Sequence, residues 1–146
     1  MAITGFVTLF AKTKAHVQQT RNTQTIDPIE NDRLHNRSIQ LLFLDALLAK
    51  HRLEYGNTLN RLKGRSALYH KLLMKYKWPI RDIVEMTLLE SLLALQDEMK
   101  PENLPEDAQR FFSNIQYTHF QATFPDLLEE EWEPNLADEL LCTSEK

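Results

Sequence analysis

The chain has 146 residues, of which 42% are hydrophobic and 26% are charged, and its formal net charge at neutral pH is −4. A chain of this length can bury its own core as one domain, and the single cysteine, Cys142, excludes an internal disulfide framework. Its three glycines are too few for the turns of a many-stranded sandwich or barrel. These features predict an all-α fold and a reducing, cytoplasmic environment.

Charge is distributed unevenly along the sequence. Residues 1–77 hold 13 Lys/Arg against 5 Asp/Glu, a net charge of +8, whereas residues 78–146 hold 4 against 16, a net charge of −12. Such asymmetry indicates either a polyanionic partner or basic and acidic surfaces that meet each other.

The first 26 residues contain no acid. Their apolar side chains recur at helical spacing and predict a short amphipathic helix over residues 3–18, and residues 18–25 are expected to form a polar linker. Lysines follow the apolar positions, an order that argues against a secretory signal. We expect this segment either to dock on the rest of the domain or to be disordered. Its predicted apolar face comprises Ile3, Val7, Phe10 and Val17.

A helix start is clearly encoded at Asp27 and Pro28. Asp27 is an acidic N-cap, Pro28 occupies the first helical position, and Glu30 is placed to complete a capping box. The helix becomes strongly apolar over residues 39–48 and should end at Gly56. Asp45 lies among these leucines. We favour a position for Asp45 on a narrow solvent-exposed face of the helix. The alternative is that Asp45 is buried and pairs with a basic group.

Residues 61–77 contain six basic side chains and no acid. A helix capped by Ser66 is expected after Gly64, with Leu68 and Leu72 on its apolar face. One interpretation is a packed helix with a solvated lysine rim. The other is a surface for a polyanion or an acidic partner, formed by Arg61, Lys63, Arg65, Lys71, Lys75 and Lys77.

The leucine-rich stretch that begins at Pro79 predicts one helix ending near residue 99, before Pro101. Its broad apolar stripe should pack against residues 39–48. A second stripe on the opposite side predicts either a central position in the core or a contact with another copy of the chain. This candidate self-association stripe consists of Met86, Leu89 and Leu93.

After Pro101 the sequence predicts loops and short helices, one beginning at Pro105, and a brief extended stretch near Tyr117. Residues 124–141 carry seven acids and no base, and two prolines divide them into two short helices, the second capped by Asn135.

Three interpretations of residues 124–141 stay open. They form a lid whose apolar side chains pack on the core and whose acids remain in water, an internal screen over the basic surface, or a docking segment for a partner protein. The candidate docking residues are Phe124, Leu127, Leu128, Trp132, Leu136 and Leu140.

No catalytic, cofactor or metal motif is found. The five histidines are scattered, and a Gly-rich phosphate loop and a Gly-x-Ser-x-Gly elbow are absent from the sequence. No apolar run approaches the roughly 18 residues of a membrane span. We therefore expect no catalytic residue, no cofactor, no bound metal and no membrane span.

Together these patterns predict a single, irregular all-α bundle of about five to seven helices. Residues 1–26 form an N-terminal helix or arm with a linker, residues 27–117 the helical core, and residues 118–146 an acidic C-terminal segment. The leading functional hypothesis is a non-enzymatic interaction or regulatory protein, using residues 61–77 and 124–141 with an unidentified protein partner. The alternative is a nucleic-acid-binding regulator whose acidic segment acts as an internal screen.

Overall fold

The computed structural model describes residues 2–23, 26–115 and 122–144, so the extended stretch expected near Tyr117 lies outside the described residues. The predicted all-α bundle is confirmed. Three 3-10 turns occur in the described part, at Gln96–Glu98, Pro101–Asn103 and Glu129–Glu131. Its α-helices are α1 Phe6–Arg21, α2 Pro28–Tyr55, α3 Arg65–Tyr76, α4 Ile80–Val84, α5 Leu88–Ala94, α6 Glu106–Asn114 and α7 Pro134–Leu140.

Helix α2 is the central element of the fold. Its start is as predicted, because the Asp27 side chain accepts a hydrogen bond from the Ile29 amide at 2.9 Å and Pro28 occupies the first turn. Glu30 pairs with Arg33 at 2.7 Å instead of completing a capping box. The helix ends at Gly56, as expected.

Two apolar clusters pack on opposite sides of α2, which explains why its middle is buried almost all round. Leu41, Leu44 and Leu48 face the first cluster together with residues from α3, α4 and α5, so the predicted packing of residues 39–48 on this region is confirmed. Leu42 and Leu47 face the second cluster, which contains residues of α1, α6 and α7. Complete burial of each leucine contributes about 1.5–3 kcal/mol.

The predicted single helix over residues 79–99 is wrong. Helix α4 ends at Val84, and α5 starts after Thr87, which forms a capping box with Glu90. Thr87 Oγ1 accepts from the Glu90 amide at 3.1 Å, and Glu90 Oε1 accepts from the Thr87 amide at 2.8 Å. This cap satisfies two amide donors at the start of α5, so the chain begins a new helix here.

Helix α1 docks along α2 and continues to Arg21, through the first half of the predicted linker. Val17 is buried as predicted, and so is Ile3 just before the helix. The rest of the buried face differs from the prediction, because Phe6, Leu9 and Thr13 point inward whereas Val7 is 72% exposed. The helix begins after Gly5, whose φ is +106°. A Cβ atom at Gly5 would overlap the Leu140 carbonyl oxygen, so this close approach requires glycine.

Helix α3 covers the predicted residues, and Leu68 and Leu72 are buried on its apolar face. Its N-cap is Gly64, with φ +61°, and not Ser66. Helix α6 follows Pro105 as expected.

The acidic segment forms a 3-10 turn at Glu129–Glu131 followed by α7. Glu133 caps α7, because its side chain accepts from the Asn135 amide at 3.2 Å, so the expected cap at Asn135 is wrong.

Two short strands, β1 Ala2–Thr4 and β2 Cys142–Ser144, were not expected from the sequence. They pair antiparallel, with Ala2 opposite Ser144 and Thr4 opposite Cys142. Three residues are too few to show the alternation by which a strand is recognised. Among the described residues, no helix has the length and apolar character needed to cross a bilayer.

Candidate functional site

The basic segment 61–77 is divided by its ion pairs. Lys71 Nζ lies 2.9 Å from Glu98 Oε1, and Lys75 Nζ lies 3.1 Å from Glu98 Oε2 and also contacts Asp97. Although burial raises the pKa of Glu98, hydrogen bonds from the two ammonium groups lower it overall. Both lysines of α3 are thus already neutralised by acids of the turn that follows α5.

Arg65 is where the basic segment meets the acidic C-terminal segment. Its guanidinium lies 3.7 Å from Glu129 Oε2 and 5.1 Å from the centre of the Trp132 ring. Glu129 Oε1 also accepts from the Leu88 amide at 2.5 Å, which ties the turn to the start of α5. The basic segment 61–77 and the acidic segment 124–141 are therefore in contact at Arg65 and Glu129.

The remaining three basic residues are exposed, and within the described residues none of them forms an ion pair. Lys77 is the C-cap of α3. Arg61 and Lys63 line a cleft of about 370 Å³ between the end of α2, the loop over residues 56–64, and α7. Arg52 and Asp138 line the same cleft and lie 3.7 Å apart, between Nε and Oδ1. Neither Arg52 nor Asp138 was among the candidates named from sequence.

The loop over residues 56–64 is held by its own side chains. Asn57 Oδ1 accepts from the Leu59 and Asn60 amides at 2.9 and 2.8 Å, and Asn60 Oδ1 accepts from the Leu62 amide at 3.0 Å. Leu62 has a φ of +59°, which costs on the order of 1–3 kcal/mol for a residue with a side chain. Burial of Leu62 in the first cluster offsets that cost by a similar amount. Leu62 therefore fixes the backbone that carries Arg61 and Lys63.

A buried carboxylate anchors the acidic segment to α1 and α2. Glu131 is 0% exposed and accepts from Arg37 Nη1 at 2.6 Å, from Arg21 Nη2 at 3.1 Å and from the Leu128 amide at 2.7 Å. Burial lowers the pKa of the Arg37 guanidinium, against the opposing effect of Glu131. The Arg21 guanidinium lies 3.9 Å from the centre of the Phe124 ring. This cluster explains why the segment is fixed in place.

Asp45 is also buried, so the favoured solvent face for this residue is wrong. It is 3% exposed, and its Oδ1 accepts from Trp132 Nε1 at 2.8 Å. Burial raises the pKa of Asp45 to about 7, and the Trp132 hydrogen bond and the nearby Arg52 charge act in the opposite direction. Asp45 is buried, as the alternative interpretation expected. Its hydrogen-bond donor is the Trp132 indole, however, and not a basic side chain.

The candidate docking residues of the C-terminal segment lie against their own chain. Phe124 and Trp132 are buried in the first cluster, with Leu127 packed beside them, and Leu136 and Leu140 pack on the second cluster. Leu128 is half-buried. The apolar side chains thus pack on the core as the lid interpretation expects, but its expectation that the acids remain in water is wrong for the buried Glu131. Docking of these residues on a partner stays a prediction.

Exposed apolar side chains concentrate around α4 and α5. Of the twelve large hydrophobic residues that are exposed in the described chain, six lie between residues 74 and 93. In the candidate self-association stripe, Leu89 and Leu93 are 51% and 63% exposed, whereas Met86 is half-buried against the first cluster. We define the 78–93 apolar face as Trp78, Ile80, Val84, Leu89 and Leu93.

His51, one member of a histidine pair, lines a separate cleft between α2, α3 and the turn after α5. His51 Nε2 and His70 Nδ1 are 2.8 Å apart, and the Tyr55 ring lies against both imidazoles. Burial and the neighbouring Lys71 charge lower the pKa of His51 to about 4, so this imidazole is neutral at physiological pH. Across residues 2–23, 26–115 and 122–144, no group of three or more His, Cys, Asp or Glu side chains is arranged to hold a metal ion.

Comparison with known protein families, curated proteins and solved structures found no match to this chain. Its function is therefore inferred from the geometry of its surfaces alone.

Proposed function

We propose that the protein is a non-enzymatic interaction protein that binds an amphipathic helix of a partner protein on the 78–93 apolar face. The observation that supports this proposal is the exposure of five large apolar side chains within two short, neighbouring helices and the residues before them. A concentration of exposed apolar side chains in one stretch of the chain favours an interaction site there. Ile80 and Val84 lie one turn apart on α4, as do Leu89 and Leu93 on α5, and such ridges fit the grooves of another helix.

The magnitude of the apolar contribution indicates what else the partner must supply. Completing the burial of one half-exposed side chain is worth about 1 kcal/mol, so the whole face supplies on the order of 5 kcal/mol. Association costs an estimated 4–15 kcal/mol in lost translational and rotational freedom. Apolar contact alone is therefore insufficient, and complementary charges at the edge of the face are required.

The charges around the face favour a basic partner. Between residues 80 and 93 the exposed acids are Asp82, Glu85 and Glu90, against the single base Arg81. A second copy of the chain would bring like charges together, whereas a helix with an apolar stripe and Lys or Arg edges would be complementary. The basic surface expected from sequence is a weaker candidate for a protein partner, because Lys71 and Lys75 are already paired within the chain.

The experiment is fluorescence anisotropy with two labelled synthetic helices that share a leucine stripe and differ only in lysine or glutamate edges. We expect the full chain to bind the lysine helix at least about tenfold more tightly, a difference of about 1.4 kcal/mol. Replacing Leu89 and Leu93 with serine should weaken binding by a similar factor. Val7→Ser, which changes an exposed apolar residue on α1, is the matched control and should have no effect.

Two results would contradict this proposal. One is equal binding of the lysine helix by the Leu89→Ser/Leu93→Ser and Val7→Ser variants, because charge attraction alone would then explain the affinity. The other is an oligomeric mass, measured by light scattering, that falls to the monomer mass in the Leu89→Ser/Leu93→Ser variant. That result would assign the face to a second copy of the chain.

A second candidate is a nucleic-acid-binding regulator in which the acidic segment screens the basic surface. The contact of Glu129 with Arg65 favours it. Glu129→Gln in the full chain should then produce binding of labelled DNA or RNA that weakens steeply with salt, because phosphate contacts release counterions. No binding by the folded variant at low salt argues against this candidate.

A further inference from the structure

We propose that the cleft between the end of α2, the loop over residues 56–64, and α7 binds a small organic anion with an apolar body, such as a medium-chain carboxylate. This site is distinct from the 78–93 apolar face and does not depend on it. The volume of about 370 Å³ falls within the range of about 300–1,000 Å³ that is usual for small-molecule sites.

The charges of the cleft do not balance. Among the described residues Asp138 is its only acid, and this carboxylate is engaged on both oxygens: Oδ2 accepts from the Gly64 amide at 2.7 Å and Oδ1 faces Arg52 at 3.7 Å. Arg61 and Lys63 line the same cleft and, within the described residues, have no acidic partner. Two positive charges are thus left over, and a carboxylate ligand would pair with them through charge-assisted hydrogen bonds.

Apolar side chains form one part of the wall, and Asn57, Thr58 and Thr143 also line the cleft. Ala49 and Leu53 come from α2, and Ile3 and Leu141 come from opposite ends of the sequence. Inorganic anions gain nothing from such a wall, whereas a hydrocarbon chain buries its surface against it. This combination of a cationic edge and an apolar wall specifies a ligand with an anionic head and an apolar body.

The backbone that carries the two cations is also fixed before any ligand arrives. Leu62, between Arg61 and Lys63, is anchored in the first cluster, and Asn57 and Asn60 brace the loop by the hydrogen bonds described above. Less conformational entropy is lost on binding when the recognition groups are carried by a fixed backbone.

The test is an NMR titration of the full-length protein, following amide and indole signals. The probes are octanoate, inorganic phosphate and octylamine at equal concentrations. Gly56 and Gly64 bracket the loop, so their amide signals report on the cleft. We expect octanoate to shift both signals in a saturable way and to leave the Trp78 indole signal, on the 78–93 apolar face, unchanged. Phosphate and octylamine should bind at least about tenfold more weakly.

The variant Arg61→Gln/Lys63→Gln should weaken octanoate binding by about tenfold or more, because it removes both positive charges that pair with the carboxylate. Lys12→Gln, which removes an exposed cation on α1 outside the cleft, is the matched control and should leave the affinity unchanged. Retained dispersion of the amide spectrum shows that each variant is folded.

Four outcomes would overturn the proposal. Equal shifts with octylamine would show that the ligand need not be an anion. Equal binding of phosphate would show that the ligand needs no apolar body. Unchanged octanoate affinity in the folded Arg61→Gln/Lys63→Gln variant, or shifts confined to Trp78, would show that octanoate binds elsewhere.

Discussion

Replacing Asp45 with asparagine should stabilise the protein in a manner that depends on pH. Asparagine retains an oxygen that can accept the hydrogen bond from Trp132 Nε1, but it cannot ionise. Burial raises the pKa of Asp45 to about 7 in the folded state, whereas its ordinary value is 3.8. Between these two values the folded chain keeps a proton that the unfolded chain has already lost.

The sign follows from this difference in bound protons. The stability contributed by the protonated carboxyl is greatest below about pH 4 and is lost as the pH rises to about 7. About 3 pH units at 1.36 kcal/mol each amount to a loss of about 4 kcal/mol. At pH 8 the Asp45→Asn variant should therefore exceed the wild-type free energy of unfolding by about 4 kcal/mol, and the excess should shrink as the pH falls from 7 to 5.

Urea unfolding followed by far-ultraviolet circular dichroism, at several values between about pH 5 and 8, measures this difference. Asp45→Ala is the informative second variant, because it also cannot ionise but leaves the Trp132 N–H without its acceptor. The free energy of unfolding of Asp45→Ala should vary with pH in the same way as that of Asp45→Asn and should be lower by about 1–3 kcal/mol at every pH. Parallel curves for the wild type and Asp45→Asn would refute the reasoning, because they would mean that Asp45 titrates alike in both states.

Two further substitutions test the contacts that fix the chain. Glu131→Gln leaves the guanidinium groups of Arg21 and Arg37 without their shared carboxylate and should lower the free energy of unfolding by about 3–5 kcal/mol, whereas the exposed neighbour Glu130→Gln should change it by less than about 0.5 kcal/mol. Equal urea midpoints for these two variants would contradict the role given to the buried cluster. Thr87→Ala removes the capping box of α5 and should cost about 1 kcal/mol in the same assay, and no loss would mean that the cap is not what starts this helix.

Local signals in the sequence were sufficient for the helix boundaries that depend on a few neighbouring residues. Asp27, Pro28 and Gly56 delimit α2 because capping and proline geometry act within one turn. The break at Thr87 carried a local signal as well, since Thr87 and Glu90 have the spacing of a capping box. The apolar periodicity across residues 79–99 suggested a continuous helix, and the cap prevailed over it.

Contacts between distant parts of the chain could not be predicted in this way. Asp45 and Trp132 are 87 residues apart, and nothing in the sequence near either residue indicates that the indole will donate a hydrogen bond to the carboxylate. Similarly, only the packing of the turn after α5 against α3 reveals that Glu98 neutralises Lys71. The basic residues were therefore found as a group, whereas their division into paired and unpaired cations depends on tertiary structure.

The pairing of β1 with β2 determines when part of the fold can form. Residues 2–4 are synthesised about 140 residues before their partners at 142–144. Until then β1 has no strand to bind, and closing so long a loop carries a large entropic cost unless the helices between have already folded. The strand pair should therefore form after the helices between its strands, once these have brought the two segments together.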